Sequence, residues 1–253
     1  MLYLAGLGLG SGDIPSSTVR LLKKADLYIE RYTSFIPDET ISFIRKEAQT
    51  VPVELTRSDL EERAGEFVAK AKSSDVVLLV GGDPLVATTH KIILNEAVKR
   101  GVAVKIMHAP SILSAAIGES GLDFYRFGQI ITIPRWSDHY KPISFYEIID
   151  GNAKRNLHTL LLLDYDGAKM SSLHPGEAAA TLLSAALQYN STIVGQDTSV
   201  LLLHNISLDG KVIKYAKLKD MESMSFENGP TLMILPAALT EIETETLKNS
   251  VTK

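Results

Sequence analysis

Apolar positions along the first hundred residues alternate between two periods. Leu2 to Leu7 is a short apolar run that ends in glycines at positions 6, 8, 10 and 12, and it predicts a strand followed by a turn. A helix follows with Val19, Leu21 and Leu22 on its buried face, capped by Ser16 or Ser17 and closing on Lys23 and Lys24. Leu27–Ile29 is the next strand, Thr40–Ala48 a helix and Val51–Leu55 a strand. Asp59–Lys72 places Leu60, Ala64, Phe67, Val68 and Ala71 at helical spacing and predicts one charged amphipathic helix. Asp75–Val80 (DVVLLV) is continuously apolar, as suits a parallel strand covered on both faces. Thr88–Arg100 reads as a helix stopped by Gly101, and Val102, Val104 and Ile106 alternate as a strand.

The pattern loosens after residue 110. Pro110-Ser111 opens a helix through Ile117 with Gly118 as its stop. Strands are expected at Gln129–Ile133, Leu157–Leu163, Thr192–Gly195, Lys211–Leu218 and Thr231–Leu235. Helices are expected at His174–Gln188 and Leu239–Lys248. The first half therefore predicts a mostly parallel α/β sheet and the second, richer in strands, a mixed one. The junction falls near 109–120, so the chain divides into a domain over 1–110 and a domain over 111–253, with no linker or internal repeat between them.

Composition narrows the chemistry. The 253 residues contain no cysteine, which excludes disulfides, thiolate catalysis and Cys-based metal sites. With 26 basic and 30 acidic residues the net charge is −4, which disfavours a dedicated nucleic-acid binder. No run reaches the ~18 apolar residues of a membrane span, and MLYLAGLGLG lacks the basic flank of a signal peptide. The expectation is a cytoplasmic protein with no membrane partner.

Two glycine turns follow apolar strands. Gly6 to Gly12 misses the third glycine of G-x-G-x-x-G, because Ser11, Asp13 and Pro15 stand where it would fall. It is either a ligand-cradling turn or a plain strand-to-helix connection. Gly81-Gly82-Asp83-Pro84 is the second. Asp83 suits a cationic or hydroxyl ligand, or else belongs to an Asp-Pro turn and caps the next helix. Ligands in open α/β sheets bind beyond the strands' carboxyl ends, and two such turns in one sheet favour the ligand reading. Ser111-Ile112 opens a helix whose amides could meet a carboxylate, although from spacing alone an ordinary Ser N-cap is the better reading. The six histidines form neither H-x-x-x-H nor H-E-x-x-H, so no metal site is expected. His90 follows the Gly-Asp-Pro turn and reads as a helix-surface residue ahead of a cleft-facing one. Arg126, Arg135, Trp136, His139, Tyr140 and Lys141 form a basic-aromatic neighbourhood, read as a solvated loop or a docking patch.

Five segments in order resemble the diphthine synthase family, whose fold is of the tetrapyrrole methylase type. They are GLGLG at 6–10, KKADLYIERYTS at 23–34, VGGDPLVATTH at 80–90, PSILSAAIGESGLDFYRFGQIITIP at 110–134 and LHTLLLLD at 157–164. The likeness is specific through about residue 165 and loose beyond. It implies two α/β domains, N-terminal mostly parallel and C-terminal mixed, with S-adenosyl-L-methionine in the interdomain cleft and S-adenosyl-L-homocysteine as product. It further implies a homodimer whose substrate is translation elongation factor 2 bearing a 3-amino-3-carboxypropyl histidine, trimethylated to diphthine in diphthamide biosynthesis. Carried over by position, the cofactor contacts are Leu9, Asp83, Val86, Ser111, Ile112 and Leu163. Further contacts fall near Gln196 and at Pro230, where relatives carry a histidine. No catalytic base is singled out. A same-fold methyltransferase acting on a tetrapyrrole or RNA, or a non-catalytic nucleotide-binding module, is the alternative.

Overall fold

A computed structural model of the chain describes residues 1–226 and 229–250. The chain divides into two compact units, Met1–Ser114 and Ala115–Lys253.

The first unit carries β1 (Leu2–Gly6), α1 (Ser16–Leu21), β2 (Asp26–Glu30), α2 (Asp38–Ala48), β3 (Val53–Leu55), α3 (Arg57–Glu61), α4 (Ala64–Lys70), β4 (Val76–Val80), α5 (Lys91–Arg100) and β5 (Val104–Met107). Its sheet has the order β3-β2-β4-β1-β5 and every pairing is parallel. β4 lies centrally, which is why its five residues are apolar and wholly buried. Alternate side chains build two cores. Leu2, Leu4, Val76, Leu78 and Val80 pack with Leu60, Phe67 and Ile93 of α3–α5. Ala5, Leu27, Ile29, Val77 and Leu79 pack on the other face with Leu22 and Ile44. Connections leaving β1 and β4 thus run over opposite faces, and the gap between these neighbouring strands is the topological switch point.

Several local expectations need correction. Pro15, not Ser16 or Ser17, stands at the N-cap of α1, and no side chain caps it. The single helix expected over 59–72 is two, because Thr56 with Asp59 forms a capping box that starts α3 early and Arg63 leaves helical geometry between α3 and α4. The helix expected from Thr88 begins only at Lys91, since the Thr88 hydroxyl and the His90 ring both bond back to the Pro84 carbonyl and hold 84–90 as a turn.

α6 (Ile112–Glu119) carries the division between the units and passes through Gly118 without stopping. The second unit then adds β6 (Ile131–Ile133), α7 (Phe145–Lys154), β7 (Thr159–Leu163), β8 (Tyr165–Asp166), β9 (Ser171–Ser172), α8 (Pro175–Gln188), β10 (Ser199–His204), β11 (Val212–Lys217), β12 (Thr231–Leu235) and α9 (Glu241–Ser250). The sheet order is β11-β10-β12-β7-β6, with β6 parallel to β7 and the other pairs antiparallel. The mixed sheet anticipated for this half is present. Its strand near Thr192–Gly195 is not: the strand lies at Ser199–His204, and Val194 instead packs into the core beneath α7 and α8.

Candidate functional site

The carboxyl ends of β1, β2, β4 and β5 converge at the switch point of the first unit. Gly8 and Gly82 clasp each other there. The Gly82 amide donates to the Gly8 carbonyl at 2.9 Å and the Gly8 amide to the Gly82 carbonyl at 3.2 Å. Both have positive φ, +72° and +66°, which glycine adopts without penalty. A Cβ on Gly6 would stand 2.6 Å from the Gly82 carbonyl oxygen and 2.7 Å from the Ala109 Cβ. The two glycine turns are therefore a single packed backbone feature.

The Tyr-Thr-Ser segment after β2 joins them. Glu30, fully buried at the end of β2, accepts from the amides of Tyr32 and Thr33 and from the Thr33 hydroxyl. Ser34 donates to the Gly81 carbonyl at 3.2 Å. His90 is also buried. Its Nδ1 bonds the Pro84 carbonyl at 3.0 Å and its Nε2 lies 3.6 Å from Glu30. The expectation of a helix-surface histidine is thus overturned, because the ring turns inward beneath the Gly-Asp-Pro turn and links it to β2. Burial, reinforced by the nearby Glu30 and Glu61 carboxylates, pushes the Tyr32 phenol above its ordinary pKa and keeps it neutral.

Asp83 is buried and its carboxylate is committed. Oδ1 accepts from the Leu85 amide at 3.0 Å; Oδ2 takes the Ala109 amide at 3.3 Å and His108 Nδ1 at 2.7 Å. The side chain therefore ties its own turn to the segment after β5, and it reaches the Leu85 amide within that turn, not the start of α5. Val86 follows, with its amide on the Asp83 carbonyl, and Ala87 sits at φ +55° in the same turn. Leu9 is half-buried, its amide held by Asp13 at 3.1 Å. Ser111 and Ile112 stand at the start of α6. The first unit thus brings Leu9, Asp83 and Val86 to the ends of adjoining strands, with Ser111 and Ile112 a few residues beyond β5.

In the second unit, Leu163 is the buried last residue of β7. The Gln196 carbonyl accepts from the Lys219 amide, and the Pro230 carbonyl accepts from the Asn205 amide just ahead of β12. Arg126, expected on a solvated loop, is instead mostly buried against Glu243 and also donates to the Ala238 carbonyl. Arg135 pairs with Glu177 at 3.4 Å, and Trp136 donates to the Pro142 carbonyl. Glu243 binds the His158 ring as well, at 2.9 Å.

Sequence reasoning passed over Glu30 and His108. For Glu30 a signal was present: a carboxylate ending an apolar strand, directly ahead of the amides of Tyr32 and Thr33. His108 carries none, since its partner lies 25 positions away. Among the described residues no group of His, Asp or Glu is arranged to hold a metal ion, and no helix is long and apolar enough to cross a membrane.

The model of the tetrapyrrole (corrin/porphyrin) methylases matches residues 1–222. Diphthine synthase of Methanococcus vannielii is 35% identical over 250 residues, covering 98% of each chain. That of Methanocaldococcus jannaschii is 35% identical over 253 residues, with 98% of each chain covered. The chain belongs to the tetrapyrrole methylases, in their diphthine synthase family. A solved diphthine synthase superposes with a TM-score of 0.86 at 32% identity, over 99% of this chain and 95% of the other. The likeness to these diphthine synthases therefore runs through both units, including the half where sequence motifs thin out.

Proposed function

We propose that this protein is a diphthine synthase: an S-adenosyl-L-methionine-dependent methyltransferase of diphthamide biosynthesis. It trimethylates the amino group of the 3-amino-3-carboxypropyl histidine of translation elongation factor 2. The observation that carries this reading is the full-length likeness to archaeal diphthine synthases. A tetrapyrrole or RNA substrate is not favoured, because the relatives that align end to end carry the diphthine synthase name. As with its family, the protein is taken to work as a cytoplasmic homodimer with no nucleic-acid or membrane partner.

The strand-end turns of the first unit suit an adenosyl ligand. They offer backbone groups at close range, and a Cβ on Gly82 would meet no protein atom nearer than 4.0 Å. Open space on a glycine held at positive φ is where a ligand can approach the backbone. We assign the cofactor contacts to Leu9, Asp83, Val86, Ser111 and Ile112 in the first unit, and to Leu163, Gln196 and Pro230 in the second. Because the Asp83 carboxylate already takes three donors, its main part is to fix the turn that offers these groups. Pro230 has no side-chain donor, so its contact is through backbone. When bound, the sulfonium cofactor supplies an electrophilic methyl group, which needs alignment more than acid catalysis.

The test is methyl transfer from labelled cofactor to elongation factor 2 carrying the aminocarboxypropyl group. Label on that histidine supports the reading. Label on a porphyrinoid or an RNA, with none on the elongation factor, contradicts it.

A further inference from the structure

Most titratable side chains at the strand ends of the first unit are already spent. Glu30 is buried and saturated by its own loop. His90 is 1% exposed beneath a turn. Asp83 has three donors, and Asp13 holds the Leu9 amide. His108 differs from all of these. It follows β5 directly, two residues ahead of Pro110-Ser111, and its side chain is 70% exposed while its partner Asp83 is 7% exposed.

The hydrogen bond fixes the tautomer. An ionised carboxylate only accepts, so His108 Nδ1 carries the hydrogen it shares with Asp83 Oδ2 at 2.7 Å. In the neutral ring Nε2 then keeps its lone pair, on a side chain that is 70% exposed. Asp83 is also the charged group in hydrogen-bond contact with the ring. An imidazole aimed by a buried carboxylate, with its other nitrogen open, is the arrangement of a general base and its orienting group.

We propose that His108 is the proton acceptor for the substrate amine, with Asp83 as its positioning residue. The proposal rests on the methyltransferase reading above. At neutral pH the amine is an ammonium and has no lone pair to attack with. His108 Nε2 takes one proton: an N–H bond of the substrate breaks, its electron pair stays on the substrate nitrogen, and an Nε2–H bond forms. The imidazolium is stabilised by Asp83. That lone pair then bonds the methyl carbon as the carbon–sulfur bond breaks and its pair passes to sulfur. The nitrogen is positively charged again, so each further methylation needs one more proton removed. An exposed ring discharges to solvent between rounds, which a buried base such as His90 could not do. After the third transfer no N–H remains, and the base has nothing left to take.

His108→Asn tests this, because the Asn amide can still donate to Asp83 but offers no base. The wild-type protein and full-length H108N are compared by calorimetry with S-adenosyl-L-homocysteine. Both are then followed in single turnovers on elongation factor 2 bearing the aminocarboxypropyl group. The expected result is cofactor-product affinity within about twofold and KM little changed, with the transfer rate at pH 7 down by about 10²–10⁴-fold. The variant's rate should climb tenfold per pH unit as solution deprotonates the amine, and added imidazole should restore part of the rate in His108→Ala. Independently of activity, nitrogen NMR of the wild-type ring in its neutral form should show the hydrogen on Nδ1. A transfer rate for H108N within threefold of wild type at pH 7, or a neutral ring whose hydrogen sits on Nε2 instead of Nδ1, overturns the proposal. So does a rate loss fully explained by lost cofactor-product binding. Wild-type protein that binds the cofactor product yet methylates nothing would remove the methyltransferase reading and the proposal together. An active wild type with an undiminished variant removes the proposal alone.

Discussion

Glu243→Gln is expected to destabilise the second unit severely. Glu243 lies in the first turn of α9 and is 2% exposed. Its carboxylate takes the Thr240 amide at 2.8 Å, the Asp123 amide at 3.1 Å, His158 Nε2 at 2.9 Å, the Thr240 hydroxyl at 3.1 Å and the Arg126 guanidinium. Burial alone would raise the carboxyl, but those amides and the His158 ring outweigh it and hold the pKa down to about 2 against an ordinary 4.5. That depression corresponds to about 3 kcal/mol of stability. It is present in full above pH 4.5 and is lost as pH falls through about 2. Glutamine keeps the shape, yet it turns an NH₂ toward donors and leaves Arg126 mostly buried without a counter-charge. Breaking one side of a buried pair costs about 3–5 kcal/mol, so the midpoint should fall by about 10 °C. The single tryptophan, Trp136, lies in the second unit and reports its unfolding by fluorescence in urea at pH 7. The gap between variant and wild type should narrow as pH drops toward 2. A variant within ~0.5 kcal/mol of wild type at pH 7, the range of an ordinary surface change, would refute the assignment of Glu243 as the anchor of α9.

Other consequences can be checked directly. Burial depresses the His158 pKa despite its Glu243 partner; its contribution is whole above about 6.5 and fades as pH falls, so urea midpoints of the wild type should decline steadily from pH 7 to pH 4, and a flat profile contradicts this. Gly6→Ala must drive a methyl into the Gly82 carbonyl and Ala109, costing about 1–3 kcal/mol. Gly12→Ala meets nothing within 4 Å and should match wild type in a thermal melt; equal behaviour of the two variants would contradict the clasp of the glycine turns. Asp83→Ala loosens that turn and frees the Ala109 amide, so calorimetry should show S-adenosyl-L-homocysteine bound at least about tenfold more weakly, a loss of about 1.4 kcal/mol, with the circular dichroism spectrum unchanged. Unchanged affinity would mean that cofactor binding does not depend on the turn this carboxylate fixes.

The first unit was the more legible half because its signals are local. The run Val76–Val80 is apolar at every position and lies centrally in a parallel sheet, and the glycine turns follow their strands directly in sequence. The second unit hid more. β10 (SVLLLH) carries four apolar residues in a row, yet the Thr-Ile-Val run ahead of it competed for the same reading, and only pairing with β11 and β12 selects Ser199–His204. The break between α3 and α4 was masked by apolar residues that keep helical spacing across it. Side chains whose partners are distant in sequence were the least readable. Arg126 pairs across 117 positions and His108 across 25. No local pattern distinguishes either from a surface side chain, so their partners appear only once the strands are paired.

The measurement that bears most directly on this account counts methyl groups. Intact mass spectrometry of elongation factor 2 carrying the aminocarboxypropyl histidine, incubated with this protein and S-adenosyl-L-methionine, should show three methyl additions localised to that side chain and then no more. An unmodified elongation factor alongside active transfer to another acceptor would contradict it.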